Sequence, residues 1–200
     1  MLFRSLLGVE PILGGVCYIA AAISRPGVIT HTGTMQRLVF GEYGGRRSAR
    51  AEALLEACER GGIDAELSSD IRKAIWEKFV FLVGLSAVTT TIRLPIGPIR
   101  TDRRTRGLLL DIMREAVAVG RAQGVALSSE FAEDRLAFCD SLPAEMTSSM
   151  HLDLERGNRL EVAWLSGGVV ELGQAAGVPT PVNQAVSAIL TLYANGKPKS

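Results

Sequence analysis

Between Trp76 and Val88 the chain sets a single lysine at the mouth of an apolar run, Trp76-Glu77-Lys78-Phe79-Val80-Phe81-Leu82-Val83-Gly84-Leu85-Ser86-Ala87-Val88. At helical pitch, residues three and four apart share a face, so Lys78, Leu82 and Ser86 project to one side while Phe79, Val83 and Leu85 cover others. A helix that is hydrophobic all round belongs inside a domain, and this run is too short after its last charge to cross a bilayer comfortably. Any fold that contains it must therefore wrap further elements around it. Lys78 then stands where water gives way to core. An amine at such a boundary is one way to obtain a proton donor near neutral pH; the plain alternative is a snorkelling lysine that caps a core helix.

Length and charge narrow the remaining choices. A chain of 200 residues makes one large domain or one and a half small ones, and 47% hydrophobic residues suffice for a core. Its 22 basic and 21 acidic residues leave a formal net charge of +1 with no long block of one sign, so no field strong enough to recruit nucleic acid is expected. No membrane association is expected either. The densest cationic cluster, Arg100, Arg103, Arg104 and Arg106, reads as a solvated N-terminal helical turn, with a phosphate or carboxylate contact left open. Three cysteines, Cys17, Cys58 and Cys139, are odd in number and far apart. That speaks against a disulfide framework and for a reducing cytoplasm. With only His31 and His151, neither near a cysteine, the usual zinc ligands are missing and no metal site is expected.

The N-terminal third reads as strands with one helix. Met1, Arg4, the apolar run to Ile23 and the triplet Ala20-Ala21-Ala22 imitate an export signal, but Glu10 and Pro11 interrupt it, and Cys17-Tyr18-Ile19 reads better as a strand. Pro26-Gly27 supplies a turn, Val28 to Thr32 a second strand, and Gln36 to Gly41 a third, adjacent and antiparallel. Ser48 caps a helix whose Leu54, Leu55 and Cys58 share a face and which Gly61-Gly62 stops. Ile63, Ala65 and Leu67 alternate as one more short strand.

After Ser69 helical periodicity takes over. The lysine helix runs from about Asp70 to Ile92 and gives way to a rigid connector, Leu94-Pro95-Ile96-Gly97-Pro98. Thr101 or Asp102 caps the next helix, with Leu108, Leu109, Ile112, Ala116 and Val119 as its apolar stripe up to Gly124. Ser128 or Ser129 opens another through Phe131, Leu136 and Phe138, closed by Pro143. A short helix around Ser148 to Leu154 runs into the turn Arg156-Gly157-Asn158. Leu160 to Ala176 is expected to be helical with Glu161 in its first turn, ended by Gly177. Thr180 caps a last helix with Pro181 at its first position and Ala185, Ile189 and Leu192 facing inward. Lys197-Pro198-Lys199-Ser200 is expected to fray.

No Gly-x-Gly tripeptide, Walker-type loop or Gly-x-Ser-x-Gly elbow occurs. The residues left for chemistry are Lys78, Ser86, the Ser148-Ser149 pair, Glu161 and Asn183. Each has an ordinary role open to it: Ser149 as a cap or turn residue, Glu161 as a first-turn carboxylate, Asn183 as a partner for local backbone.

Taken in order, Gly14 to Ala21, Pro26 to His31, Phe40-Gly41-Glu42, Asp70-Ile71 with Ile75 to Phe79, Ser148-Ser149-Met150 with Asp153 and Glu161, and Gly177 to Asn183 resemble the ketopantoate reductases (2-dehydropantoate 2-reductases) over nearly the whole chain. Members of that family join a Rossmann portion carrying Gly-x-Gly-x-x-Gly to an all-helical domain like the C-terminal domain of 6-phosphogluconate dehydrogenase. The resemblance therefore implies an α+β fragment lacking most of the N-terminal Rossmann domain. Residues 1 to 68 would be its tail, antiparallel strands and one helix. Residues 69 to 200 would be the all-helical substrate-binding and dimerisation domain.

It also implies NADPH-dependent reduction of 2-dehydropantoate, or a related 2-keto acid, to the 2-hydroxy acid, a step towards pantothenate and coenzyme A. Lys78 matches the family's proton donor, Glu161 the carboxylate that bonds the reacting oxygen, and Ser149 a hydroxyl on the substrate carboxylate. Two positions that carry asparagine in well-studied members are Leu82 and Ser86 here, and a third is Met146. These substitutions leave a less polar lining for the substrate. NADP(H) is the expected cofactor, bound weakly or not at all without the glycine-rich segment. A homo-oligomer, such as a dimer, is expected to cover an exposed apolar sheet over residues 13 to 40. The alternative is a truncated, non-catalytic helical module that binds a ligand or dimerises.

Overall fold

A computed structural model describes residues 6–8 and 10–198. Met1, Arg4 and the start of the export-like run, and the terminal Lys199 and Ser200, lie outside the described residues. The chain divides into two compact units, Met1–Ile75 and Trp76–Ser200.

In the first unit β1 (Gly14–Arg25) and β2 (Val28–Gly41) form a long antiparallel hairpin closed by Pro26-Gly27. Proline presets the first turn position and Gly27, at φ 78°, takes the left-handed second one. The second and third strands expected from sequence are one strand. The pairing passes from Ile19–Gln36 to Ala21–His31, so Thr32 to Met35 bulge opposite Ala20 alone, with Gly33 at φ 76° in the bulge. From β2 the chain crosses through α1 (Ala49–Arg60) to β3 (Asp64–Leu67), which pairs parallel with β2 from Arg37–Asp64 to Phe40–Leu67. The sheet is thus mixed, ordered β1-β2-β3, and not antiparallel throughout. Parallel pairing requires such a crossover.

Ser48 caps α1 as expected, its Oγ accepting from the Ala51 N–H at 3.3 Å. The buried face is Ala51 and Cys58, and Leu54 points outward, because two residues seven apart return to one side of the helix. As expected, apolar side chains lie exposed on the hairpin: Ile19, Ile23, Ile29 and Met35 are all half or more accessible.

In the second unit α2 (Ile71–Ile92, which starts in the first) is followed by α3 (Ile96–Thr101), α4 (Arg103–Ala122), α5 (Phe131–Ser141), α6 (Ser149–Arg156), α7 (Ser166–Ala176), α8 (Pro181–Leu190) and a closing 3-10 turn, Thr191–Tyr193. By length and composition α2 could span a membrane (mean hydropathy 1.4 over its best window), yet half of that window is buried inside the protein. Val80, Val83 and Val88 of α2 join Leu109, Ile112 and Met113 of α4, Val169 of α7 and Val186 of α8 in one core. Gly84 permits the crossing of α2 and α4. A Cβ there would stand 2.6 Å from Met113 Cγ.

Several sequence expectations shift by a turn. The Leu94–Pro98 connector leads into helix from Ile96, since Pro95 sits at the cap and Pro98 in the first turn, where no N–H is needed. Of the two caps offered for α4, Asp102 serves, its Oδ1 accepting from Arg104 N and Thr105 N. Arg100 is no solvated residue: its guanidinium donates to the carbonyls of Cys139 and Leu142 and closes the end of α5. That helix starts after Glu130, and neither Ser128 nor Ser129 caps it by side chain. Leu160 to Leu165 is not helical. The bond from Gly167 N to Val162 O spans five residues and Leu160 N is taken by Ala194 O, so regular α-helix begins only at Ser166. Finally, α8 buries Asn183, Val186 and Leu190 and turns Ala185 and Ile189 outward, and Leu192 of the closing 3-10 turn is exposed too, the reverse of the expected face. Glu115 sets that rotation. Its carboxylate accepts from Val182 N (2.8 Å), Asn183 N (2.9 Å) and Asn183 Nδ2 (2.8 Å), so α4 rather than Thr180 caps the helix.

Glu42, just after β2, accepts from both Arg50 nitrogens (2.9 and 2.7 Å) and from Ser48 Oγ (2.5 Å). Arg50 first and Ser48 second hold its carboxyl down to about 2 from an ordinary 4.5. A lowered folded-state value stabilises the fold above pH 4.5, and that contribution disappears as pH falls from 4.5 through about 2. Glu42→Gln should flatten the stability-versus-pH curve across this window in denaturant titrations. An unchanged acid limb would contradict the assignment.

Candidate functional site

Lys78, Leu82, Ser86 and a fourth residue, Thr89, fall within an arc of about 80° on α2 at 100° per residue. Lys78 and Leu82 are half-buried, Ser86 is buried, and Thr89 is fully buried. The face therefore runs from a cation at the solvent boundary into the core. Thr89 tells what the buried end does.

The Thr89 hydroxyl donates to Leu85 O at 2.7 Å, as threonine does inside helices. Having spent its only hydrogen, it can only accept at its second contact, Ser148 Oγ at 2.8 Å. Ser148 therefore donates to Thr89 and accepts from His151 N at 3.1 Å, which makes it the N-cap of α6. A directed chain, His151 N–H to Ser148 O–H to Thr89 O–H to Leu85 C=O, thus ties the start of α6 to the lysine-bearing face of α2. Ser149 is the next residue and exposed. Thr147 Oγ1 adds a contact of 2.5 Å to His151 Nδ1.

Of the residues singled out from sequence, the structure aligns Lys78, Leu82 and Ser86 on one face and links Ser149 to that face through its neighbour. Glu161 lies in the turn before α7 with its side chain exposed, its carbonyl accepting from Trp164 N and Leu165 N. It is not a first-turn carboxylate stabilised by a helix dipole. Nor does Asn183 serve local backbone: it bonds Glu115 and Ile112 O of α4. Thr89 and Glu115 carry no motif. Thr89 could have been found from its spacing, since three turns beyond Lys78 return to the same side.

The three cysteines are free thiols, and burial pushes the Cys139 thiol up to about 11, which makes it a poor nucleophile. Among the described residues no group of three or more His, Cys, Asp or Glu is placed to hold a metal ion. In the strand-loop-helix passage from β2 into α1, the Glu42 carboxylate already occupies Ser48 and Arg50. These residues do not fit a dinucleotide phosphate.

A protein-family model described as "Ketopantoate reductase PanE/ApbA C terminal" matches residues 70–194. The chain belongs to the ketopantoate reductase family. It is similar to the uncharacterized oxidoreductase YkpB of Bacillus subtilis, 34% identical over 92% of this chain and 61% of that protein. It is also similar to the 2-dehydropantoate 2-reductase of Mesorhizobium japonicum, 33% identical over 92% of this chain and 56% of the relative. The solved 2-dehydropantoate 2-reductase of Geobacter metallireducens superposes with a TM-score of 0.85 at 29% identity, covering 94% of this chain and 63% of that one. The chain thus spans about three fifths of these family members.

The Thr89 relay should be measurable by itself. Thr89→Val removes the acceptor for Ser148 while keeping shape, and should cost about 1–3 kcal/mol in chemical denaturation, with Thr89→Ser recovering most of it. A Thr89→Val protein as stable as the parent would show that the hydroxyl carries no weight.

Proposed function

We propose that this chain supplies the substrate-holding and proton-donating part of an NADP(H)-dependent reductase that converts 2-dehydropantoate or a related 2-keto acid to its 2-hydroxy acid. The observation that carries the reading is the Lys78 face of α2, held in register with Ser149 by the Thr89–Ser148 bond, inside the stretch that matches the ketopantoate reductases. The nicotinamide supplies the hydride when bound. The chain's own residues do the rest.

The Lys78 ammonium donates a hydrogen bond to the ketone oxygen, polarises the carbonyl and gives up a proton as that oxygen becomes an alkoxide; water then restores the ammonium. Ser149 Oγ–H donates to the substrate carboxylate and fixes which face of the ketone is presented. Glu161 accepts from the reacting hydroxyl and steadies the lysine. Leu82, one turn beyond Lys78, and Ser86 meet the substrate side chain. A site that lacks amide partners there gains little from substrate hydroxyls, so the reading favours a 2-keto acid with a larger apolar side chain.

Self-association over the exposed hairpin isoleucines belongs to the same reading, and sedimentation equilibrium giving only a monomer would contradict it. The second reading, a ligand-binding or dimerising module without catalysis, is favoured by the misfit of the α1 N-terminus to a phosphate.

The test is NADPH oxidation with a panel of 2-keto acids, run on the chain alone and on the chain joined to a Rossmann portion with the glycine fingerprint. Turnover by the joined protein is expected, with Lys78→Ala slower by about 10²–10⁴-fold and Leu82→Asn shifting preference towards hydroxylated acids. Equal rates with and without the lysine would sink its role as donor, and no turnover with any acid would leave the binding module as the better account.

A further inference from the structure

The far end of α2 carries an unusual residue. Arg93 follows the last helical position at φ 60°, and every other described residue with positive φ is a glycine. Its N–H bonds Thr89 O at 2.9 Å, the left-handed stop that Gly157 and Gly177 make at the ends of α6 and α7. Glycine fills such a stop without steric cost and arginine does not, so the side chain stands there against a backbone penalty. That penalty directs attention to what the guanidinium faces.

Arg93 lines a surface cleft of about 490 Å³ with Glu155, Arg156, Asn158, Tyr193 and Lys197. Three basic residues thus share its wall with one acidic one. Among the described residues none of the three cations is ion-paired, whereas Glu155 reaches His151 Nε2 at 3.5 Å. The Arg93 guanidinium lies over the Tyr193 ring, 5.6 Å from its centre. The cleft walls are tied together by backbone: Lys197 N donates to Gly157 O (3.2 Å) and Leu160 N to Ala194 O (3.0 Å). Fifteen residues of rise place Arg93 about 22 Å along α2 from Lys78.

We propose that this cleft is a binding site for a phosphate-bearing small molecule, held by the Arg93 and Arg156 guanidiniums and the Lys197 ammonium. Planar guanidiniums bind phosphate oxygens in pairs, and three cations around a small-molecule-sized cleft suit a multiply charged oxyanion better than a single carboxylate. The site does not depend on the reductase reading.

The test uses the full chain and inorganic pyrophosphate as probe, titrated by calorimetry at low salt, with citrate as the polycarboxylate arm. Saturable one-to-one binding of pyrophosphate, weakening as salt rises, is expected. Arg93→Gly relieves the left-handed backbone while deleting the guanidinium, so it should keep or raise the melting temperature and weaken pyrophosphate at least about tenfold; Arg156→Ala should weaken it similarly. Unaltered affinity in Arg93→Gly, or no saturable binding at millimolar pyrophosphate, would overturn the site. Citrate binding as tightly as pyrophosphate would overturn the phosphate assignment.

Discussion

The hydrogen bond between Thr89 and Ser148 is the constraint on which the candidate site depends. Both hydroxyls are buried, and a buried hydroxyl without a partner costs more than a satisfied one contributes. Because Thr89 gives its hydrogen to Leu85, the direction of every bond from His151 to Leu85 follows, and α6 can start at only one height along α2. Ser149 inherits its place from that register. The apolar remainder of α2 makes the arrangement durable, since Val80, Val83 and Val88 hold the helix against α4, α7 and α8.

A second long-range bond shapes the other side of the helical unit. Glu115 reaches from α4 to the start of α8 and meets the N–H groups that Thr180 leaves unserved. A carboxylate at a helix N-terminus is favoured by charge as well as by hydrogen bonding. By drawing Asn183 inward it rotates α8, which leaves Ile189 and Leu192 on the surface and Val186 and Leu190 in the core. Both devices use polar side chains of one helix to settle the position of another. Hydrophobic packing alone, which tolerates sliding, would specify either contact less sharply.

What could be read in the sequence follows from the range of each interaction. Local chemistry was legible: Ser48 as a cap and Thr101 or Asp102 as the next, Pro26-Gly27 as a turn, Gly157 and Gly177 as helix stops, and the alignment of Lys78, Leu82 and Ser86 all arise within a few residues of chain. The ordered motifs also led to the correct family. What was hidden required partners far away. Thr89 and Ser148 lie 59 residues apart and Glu115 and Asn183 lie 68 apart, so periodicity assigned α8 the wrong face and missed the relay. The helical expectation around Glu161 failed for a related reason: Leu160 N is taken by the Ala194 carbonyl, 34 residues further on, which no window around Glu161 contains.

The proposed chemistry rests on geometry at one end of α2 and the proposed anion site on geometry at the other. Only the first requires the register of α6. A double-mutant cycle with Thr89→Val and Ser148→Ala, followed by chemical denaturation, tests that register most directly. Coupling of about 1 kcal/mol or more between the two sites is the expected result, since each change removes the other's partner. Strictly additive losses would contradict the account, for they would mean that α6 is positioned by packing and that Ser149 owes nothing to the lysine helix.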